Sequence, residues 1–239
     1  MNIALLTAGG TGNRMGQDIP KQFMTIDNKP VLIYTMESFQ RSPEIDGICV
    51  ICLKGWEVVL QSYANQYNIT KLKWIFEGAE TNQGSIYNGL VGLKEAGCSD
   101  DDIVLVQDGV RPLVSKEIIS NNIKTCKKYG YAVTGLLCKE AIMEKCDDSV
   151  REIDIPRERL VRTQTPHTYK LGILLDAHKK AMESGIMNTV ASCTLMAAIG
   201  VHDQHLVEGS EMNGLKLTRP QDVELFKALL HSEGESWMK

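Results

Sequence analysis

Two cations, Arg14 and Lys21, follow a stretch of chain almost without side chains, Thr7-Ala8-Gly9-Gly10-Thr11-Gly12. Backbone this bare can come close to a ligand, and consecutive glycines let neighbouring N–H groups converge on one set of oxygens. A guanidinium and an ammonium beside such a nest favour phosphate. Two common phosphate loops are excluded by spacing. No Lys-Ser or Lys-Thr pair follows Gly12 or Gly16, as a Walker loop requires, and the third position of a dinucleotide fingerprint counted from Gly10 and Gly12 is Met15. Without the two cations the glycines read as an ordinary strand-to-helix turn. A second chemical cluster is Asp108-Gly109-Val110-Arg111-Pro112, which sets an acid and a base on one rim. It is either a salt-bridged turn or a site in which Asp108 holds Mg²⁺ across phosphates while Arg111 grips a second substrate, since oxygen ligands suit that hard cation.

These residues need a frame. Ile3 to Leu6 reads as a buried strand, Val31 to Gln40 as a helix with Leu32, Ile33, Met36 and Phe39 on one face, and Ile45 to Leu53 as the next strand. Trp56 to Tyr67 is helical in pattern, Lys73 to Phe76 a short strand, Gly84 to Ala96 a helix and Ile103 to Val106 another apolar strand. Alternating strands and helices predict an α/β fold, a Rossmann-like, mostly parallel sheet with helices on both faces. Ligands of such sheets bind at the carboxyl ends of the strands, where the loops after Leu6, Phe76 and Val106 fall. The middle loop, Gly78 to Ser85, is polar and ends at a helix start, so it also suits a simple N-cap. From Tyr131 the character changes: Ala132 to Leu137, Ala141 to Glu144 and Val150 to Ile155 look like short strands joined by charged turns, an arm reaching off the domain. The expected organisation is one domain over residues 1–239 with 137–157 protruding. Leu171 to Ser184 and Gln221 to Leu230 complete the helices, Pro220 suiting the first turn of the last. The polar stretch from Ser232 to Lys239 reads as frayed.

At 239 residues, 43% hydrophobic, the chain can bury a full core. Its net charge of −4 argues against a broad nucleic-acid surface. No apolar run is long enough to span a bilayer and the first residues lack the features of a signal peptide, so a cytoplasmic protein is expected. Seven cysteines are an odd set for a disulfide framework. Cys49 and Cys52 form a C-x-x-C within a strand, where an odd separation points them to opposite faces, so they read as core residues. His202 and His205 lack a third ligand of suitable spacing.

Ala8-Gly9-Gly10-x-Gly12-x-Arg14-Met15-Gly16 followed by Pro20-Lys21-Gln22-Phe23 resembles the signature of the cytidylyltransferases that join CTP to a sugar-alcohol phosphate, the family of the methylerythritol-phosphate and ribitol-phosphate enzymes. The resemblance extends over nearly the whole chain. It implies a nucleotidyltransferase fold in which the first loop, with Ala8, Gly9, Gly10 and Gly12, holds the CTP triphosphate, and in which Arg14, Lys21 and Lys216 are catalytic. It places Asp108 on Mg²⁺ and Gly78, Asn82 and Ser85 at the base and ribose, although Asn82 stands where an Arg is usual and Ala79 replaces a second Gly. It assigns Arg111, Arg157 and Thr165 to the polyol phosphate, the last two from Arg157 and Gln164-Thr165-Pro166. It also implies a homodimer built through the arm, with Arg157 then serving the partner's site.

At Asn188-Thr189-Val190-Ala191-Ser192 the family's Thr-Asp is replaced, leaving Thr189 in the acceptor pocket without a carboxylate. A missing acceptor group changes which hydroxyls can be held. Ribitol 5-phosphate, or a shorter acceptor such as glycerol phosphate, is therefore expected. Methylerythritol-phosphate transfer remains a second reading, and a non-catalytic nucleotide-binding protein a third. Arg157-x-x-Leu160 favours the methylerythritol branch, whereas Gly109-Val110 and Asp154-Ile155-Pro156 favour the ribitol branch.

Overall fold

Strand β1 (Asn2–Ala8) lies inside a seven-stranded sheet, and the computed structural model describes it with residues 1–10, 19–151 and 155–232. Its side chains are apolar on both sides because both sides are covered. After a 3-10 turn at Lys21–Phe23 come β2 (Thr25–Ile26), β3 (Lys29–Pro30) and α1 (Val31–Gln40). Asp27 and Asn28, both with positive φ, make the tight turn between β2 and β3. Next are β4 (Gly47–Cys52), α2 (Glu57–Gln66), β5 (Leu72–Glu77), α3 (Asn82–Glu95), β6 (Ile103–Asp108) and α4 (Lys116–Tyr129). The chain continues through β7 (Tyr131–Leu137), β8 (Glu144–Cys146), β9 (Ser149–Arg151), a 3-10 turn at Arg157–Arg159, β10 (Val161–Lys170) and α5 (Leu171–Glu183). It finishes with α6 (Ser192–Ala198), β11 (Leu206–Glu208), α7 (Glu211–Gly214) and α8 (Pro220–His231).

The sheet order is β11-β7-β10-β6-β1-β4-β5. β6, β1, β4 and β5 run parallel, and β11 runs parallel to β7, while β10 is antiparallel to both β6 and β7. This is the mostly parallel α/β sheet that the alternating pattern predicts. Alternation along the strands separates two cores. Ala4, Leu6, Ile48, Val50 and Cys52 pack under α1, α2 and α4, whereas Ile3, Leu5, Cys49, Ile51 and Val104 pack under α3, α5 and α6. Cys49 and Cys52 thus fall in different cores, as their spacing requires. A smaller cluster seats Phe226 of α8 on Ile26, Val31, Leu113 and Leu217.

The structure corrects the sequence reading at three elements. Residues 116–129, to which no element was assigned, form α4, with Ser115 capping it through the Ile118 N–H and Ile118, Ile119, Ile123 and Cys126 on its buried face. The segment around Gln164 to His167 belongs to a ten-residue strand, β10, despite its Pro, because the register shifts between Gln164 and His167 and that bulge absorbs the residue that cannot donate. The arm's hairpin is displaced from the expected Ala141–Glu144 and Val150–Ile155 to β8 and β9, which turn at Asp147, a residue with φ of 44°. Among the described residues this hairpin pairs with no strand of the main sheet.

Candidate active site

Three strand ends and the loop before α8 meet around a cleft of about 400 Å³. After β1 the chain enters Gly9 and Gly10, after β5 it enters Gly78, and after β6 it enters Gly109. The first two loops touch through bare backbone: a Cβ on Gly78 would sit 3.2 Å from the Gly9 Cα and 3.3 Å from the Cys52 carbonyl oxygen. At Gly109 a Cβ would meet the Thr7 carbonyl oxygen at 2.8 Å. Glycine at these points lets the strand ends converge.

The floor carries charge. Asp108 ends β6, and its Oδ2 accepts a hydrogen bond from Arg111 Nε at 2.8 Å and lies 3.0 Å from Lys216 Nζ. Burial pushes the Asp108 carboxyl up, but Lys216 and Arg111 outweigh it and hold the group below the usual carboxylate range. Arg111 also donates through Nη1 to the Gly214 carbonyl, which ties the β6 loop to the loop carrying Lys216. Leu217 N–H donates to the Val110 carbonyl at 2.9 Å and closes the same connection. Lys21, on its 3-10 turn, borders the cleft with Gln22, Ala8, Gly9 and Gly10. Gly12 and Arg14 lie outside the described residues.

The loop after β5 is ordered by Ser85, whose Oγ accepts from the Ala79 N–H at 2.9 Å, and by Thr81, which caps α3 through the Gly84 N–H at 3.0 Å. Asn82 opens α3 and lines the cleft with Ser85, and the helix N-terminus there favours anions. Thr165 enters from β10, its Oγ1 accepting from the Asp108 N–H at 3.2 Å. Behind it, Asn213 donates to Gln164 Oε1 and to the Thr165 carbonyl, both at 3.0 Å, while Gln164 Nε2 reaches the Ser210 carbonyl at 2.9 Å. Asn122, Thr134 and Thr168 form a further buried polar group, with Thr134 Oγ1 donating to the Pro166 carbonyl at 2.8 Å. Buried His167 also borders the cleft, and burial lowers its pKa to about 4, so it is neutral at ordinary pH.

Two residues proposed for the acceptor sit elsewhere. Thr189 is engaged by Gln83: its N–H and its hydroxyl both meet Gln83 Oε1, at 2.9 and 3.2 Å, and Gln83 Nε2 donates to the Ile186 carbonyl at 2.6 Å. Val190, Ala191 and Ser192 border the cleft instead, and Val190 is 88% exposed. Arg157 lies on the exposed turn at the base of the arm, its Nη1 donating to the Lys139 carbonyl at 3.2 Å, and takes no part in the cleft of its own chain. Gln83 and Asn213 carry no sequence signal beyond their polarity, because each acquires its meaning from a partner at least 48 residues away. Gln164 belongs to the Gln164-Thr165-Pro166 motif, but its partners Ser210 and Asn213 lie 46 and 49 residues away.

No group of three or more His, Cys, Asp or Glu placed to hold a metal exists among the described residues. A hard cation that brings phosphate and water ligands needs only one protein carboxylate, and Asp108 borders the cleft with its carboxylate.

A mostly parallel sheet whose strand ends gather a glycine loop, an acid and three cations around one cleft defines a nucleotidyltransferase. The sequence profile described as "IspD: 2-C-methyl-D-erythritol 4-phosphate cytidylyltransferase" matches residues 2–232, and the chain belongs to this family of cytidylyltransferases. It is 40% identical to the ribitol-5-phosphate cytidylyltransferase of Lacticaseibacillus paracasei, over 98% of this chain and 99% of the relative. It is 38% identical to the 2-C-methyl-D-erythritol 4-phosphate cytidylyltransferase of Clostridium acetobutylicum, over 96% and 97%. The crystal structure of 4-diphosphocytidyl-2C-methyl-D-erythritol synthase from Anaerococcus prevotii has the same fold, with a TM-score of 0.79 at 23% identity and 95% of each chain covered.

Proposed function

We propose that the chain transfers the cytidylyl group of CTP to ribitol 5-phosphate, giving CDP-ribitol and pyrophosphate. The observation that carries this reading is the convergence of Lys21 and the glycine loop with Asp108, Arg111 and Lys216 in one cleft. A phosphate oxygen of the acceptor attacks the α-phosphorus of CTP, the bond from that phosphorus to the bridging oxygen breaks, and pyrophosphate leaves. A phosphate monoester is already ionised, so no general base is needed; positioning and charge neutralisation by Arg14, Lys21 and Lys216 supply the catalysis. Ala8, Gly9, Gly10 and Gly12 hold the triphosphate, and Gly78, Asn82 and Ser85 border the cytidine. Arg111 and Thr165 face the acceptor. Asp108 would hold Mg²⁺, which would supply positive charge to offset that of the phosphates. The reaction takes place in the cytoplasm.

Ribitol 5-phosphate is favoured by the 40% identity to a ribitol-5-phosphate cytidylyltransferase. An acceptor pocket that presents Val190, and no carboxylate anywhere in residues 188–192, fits the same choice over the methylerythritol compound. Glycerol phosphate is the shorter alternative. The arm's exposed apolar residues, among them Met143 and Val150 at 52% and 62% exposure, fit a surface covered by a second copy of the chain. In such a homodimer Arg157 reaches the partner's acceptor. Pyrophosphate release should be measured with CTP or UTP against ribitol 5-phosphate, glycerol phosphate and 2-C-methyl-D-erythritol 4-phosphate. Release with CTP and ribitol 5-phosphate at least about tenfold above the other pairs is expected. Preference for the methylerythritol compound would reassign the acceptor, and no release with any pair would leave a binding protein.

A further inference from the structure

Gln22 sits between the two parts of the donor site and takes no part in the chemistry described above. Its side chain is 1% exposed, and its amide nitrogen donates both hydrogens to the glycine loop, to the Ala8 carbonyl at 2.7 Å and the Gly10 carbonyl at 2.9 Å. It follows Lys21 directly, on the short 3-10 turn closed by the Phe23 N–H to the Pro20 carbonyl at 2.8 Å. That turn is itself anchored, because Phe23 is buried and stacks on Trp56 with ring centroids 4.6 Å apart.

A primary amide is the group that suits this place. Two carbonyl oxygens bordering an anion-binding cleft carry negative partial charge, and left unpaired they repel phosphate and cost the desolvation of each group. One NH₂ satisfies both; a hydroxyl, a carboxylate or an apolar side chain of the same length does not. The peptide between Ala8 and Gly9 is planar, so fixing its carbonyl on the Gln22 side also fixes its N–H on the opposite side. Gln22 therefore sets the direction of a backbone donor in the loop. Because it neighbours Lys21 in sequence, it also holds that ammonium and the loop in one fixed relation.

We propose that Gln22 is a positioning residue that preorganises the glycine loop and the Lys21 turn for the triphosphate. This rests on the reading of the cleft as a CTP site. Gln22→Met keeps the length and removes the donors. CTP and cytidine binding by calorimetry, with steady-state kinetics, are the readouts. Q22M should bind CTP about tenfold or more weaker, as expected from two lost hydrogen bonds, while cytidine affinity and the KM for the acceptor stay within about twofold. A role confined to stability would lower Tm and leave CTP affinity unchanged in the folded fraction; that result overturns the proposal. Should Q22M fail to fold, Gln22→Glu carries the test through its pH profile. A carboxylate there repels both carbonyls and the phosphates, whereas its protonated form donates one hydrogen bond, so activity relative to the native chain should rise as pH falls from 8 to 5.5. A flat ratio counts against the proposal. Failure of the native chain to bind CTP would refute the functional reading instead, and the two failures are told apart in the same titration.

Discussion

Two buried histidines make the chain's stability depend on acid in a calculable way. His178, on α5, has neither ring nitrogen hydrogen-bonded, and it packs against the Tyr87 ring at 6.1 Å. His167, on β10, leaves Nε2 without a partner. Burial lowers both to about 4, from an ordinary value near 6.5. The unfolded chain therefore binds protons over a range in which the native chain does not, and stability must fall as pH drops from about 6.5 to about 4. Full loss amounts to roughly 3 kcal/mol per histidine, and at pH 5 to roughly 2 kcal/mol each. Substitution of His178 by Leu removes one of the two contributions. Urea unfolding at pH 7.5 and pH 5.0 gives the difference for each protein, and comparing differences cancels the packing cost of the substitution. The native chain should lose about 2 kcal/mol more than H178L over this interval. Equal losses would show that His178 takes up its proton in the folded state and would refute the reasoning.

Lys216→Met should lower kcat by about a hundredfold to a thousandfold, the range for removing one preorganised donor to developing charge, and a change under threefold by pyrophosphate release would remove Lys216 from the catalytic set. Asp108 is ionised throughout the working range because Lys216 and Arg111 outweigh its burial, so its native contribution to stability is present above the ordinary carboxylate value and is lost only as pH falls through its lowered one. Asp108→Asn should raise the Mg²⁺ concentration needed for half-maximal activity by about tenfold, and an unchanged Mg²⁺ titration would argue against metal binding there. Arg157→Ala and Lys21→Ala should each be inactive alone, yet mixed dimers should recover up to about a quarter of native activity if Arg157 serves the neighbouring site. No recovery on co-expression would place Arg157 in its own chain's site or remove the dimer.

The glycine loop and the Asp108 loop are more legible in the sequence than β10 and residues 188–192, and the reason is physical. Ile3 to Leu6 and Val31 to Gln40 follow from local periodicity, and the loops after them follow from the rule that parallel strands present ligands at their carboxyl ends. Asp108 and Arg111 are three residues apart, so their ion pair is local. Lys216 reaches Asp108 only because Leu217 hydrogen-bonds to Val110 and Arg111 to Gly214, contacts across about a hundred residues that no local pattern encodes. β10 shows no strand pattern in the sequence because its centre is polar: Gln164 and Thr168 are buried and satisfied by Asn213 and Asn122, partners visible only in three dimensions. The resemblance points to Thr189 for the acceptor, and the structure adds that Gln83, buried at the start of α3, accepts a hydrogen bond from its hydroxyl. Arg157 stands apart from its own cleft for a different reason, since its position follows the arm rather than the sheet.

The most direct measurement is of the product. The chain, CTP, Mg²⁺ and ribitol 5-phosphate should be incubated with the native protein and with Lys21→Ala, and the nucleotide products identified by mass and quantified beside pyrophosphate. CDP-ribitol and pyrophosphate in equal amounts, with the rate for K21A lower by about a hundredfold or more, are expected. CTP bound without transfer, or a K21A rate near that of the native chain, would contradict the assignment of this cleft as the site of cytidylyl transfer.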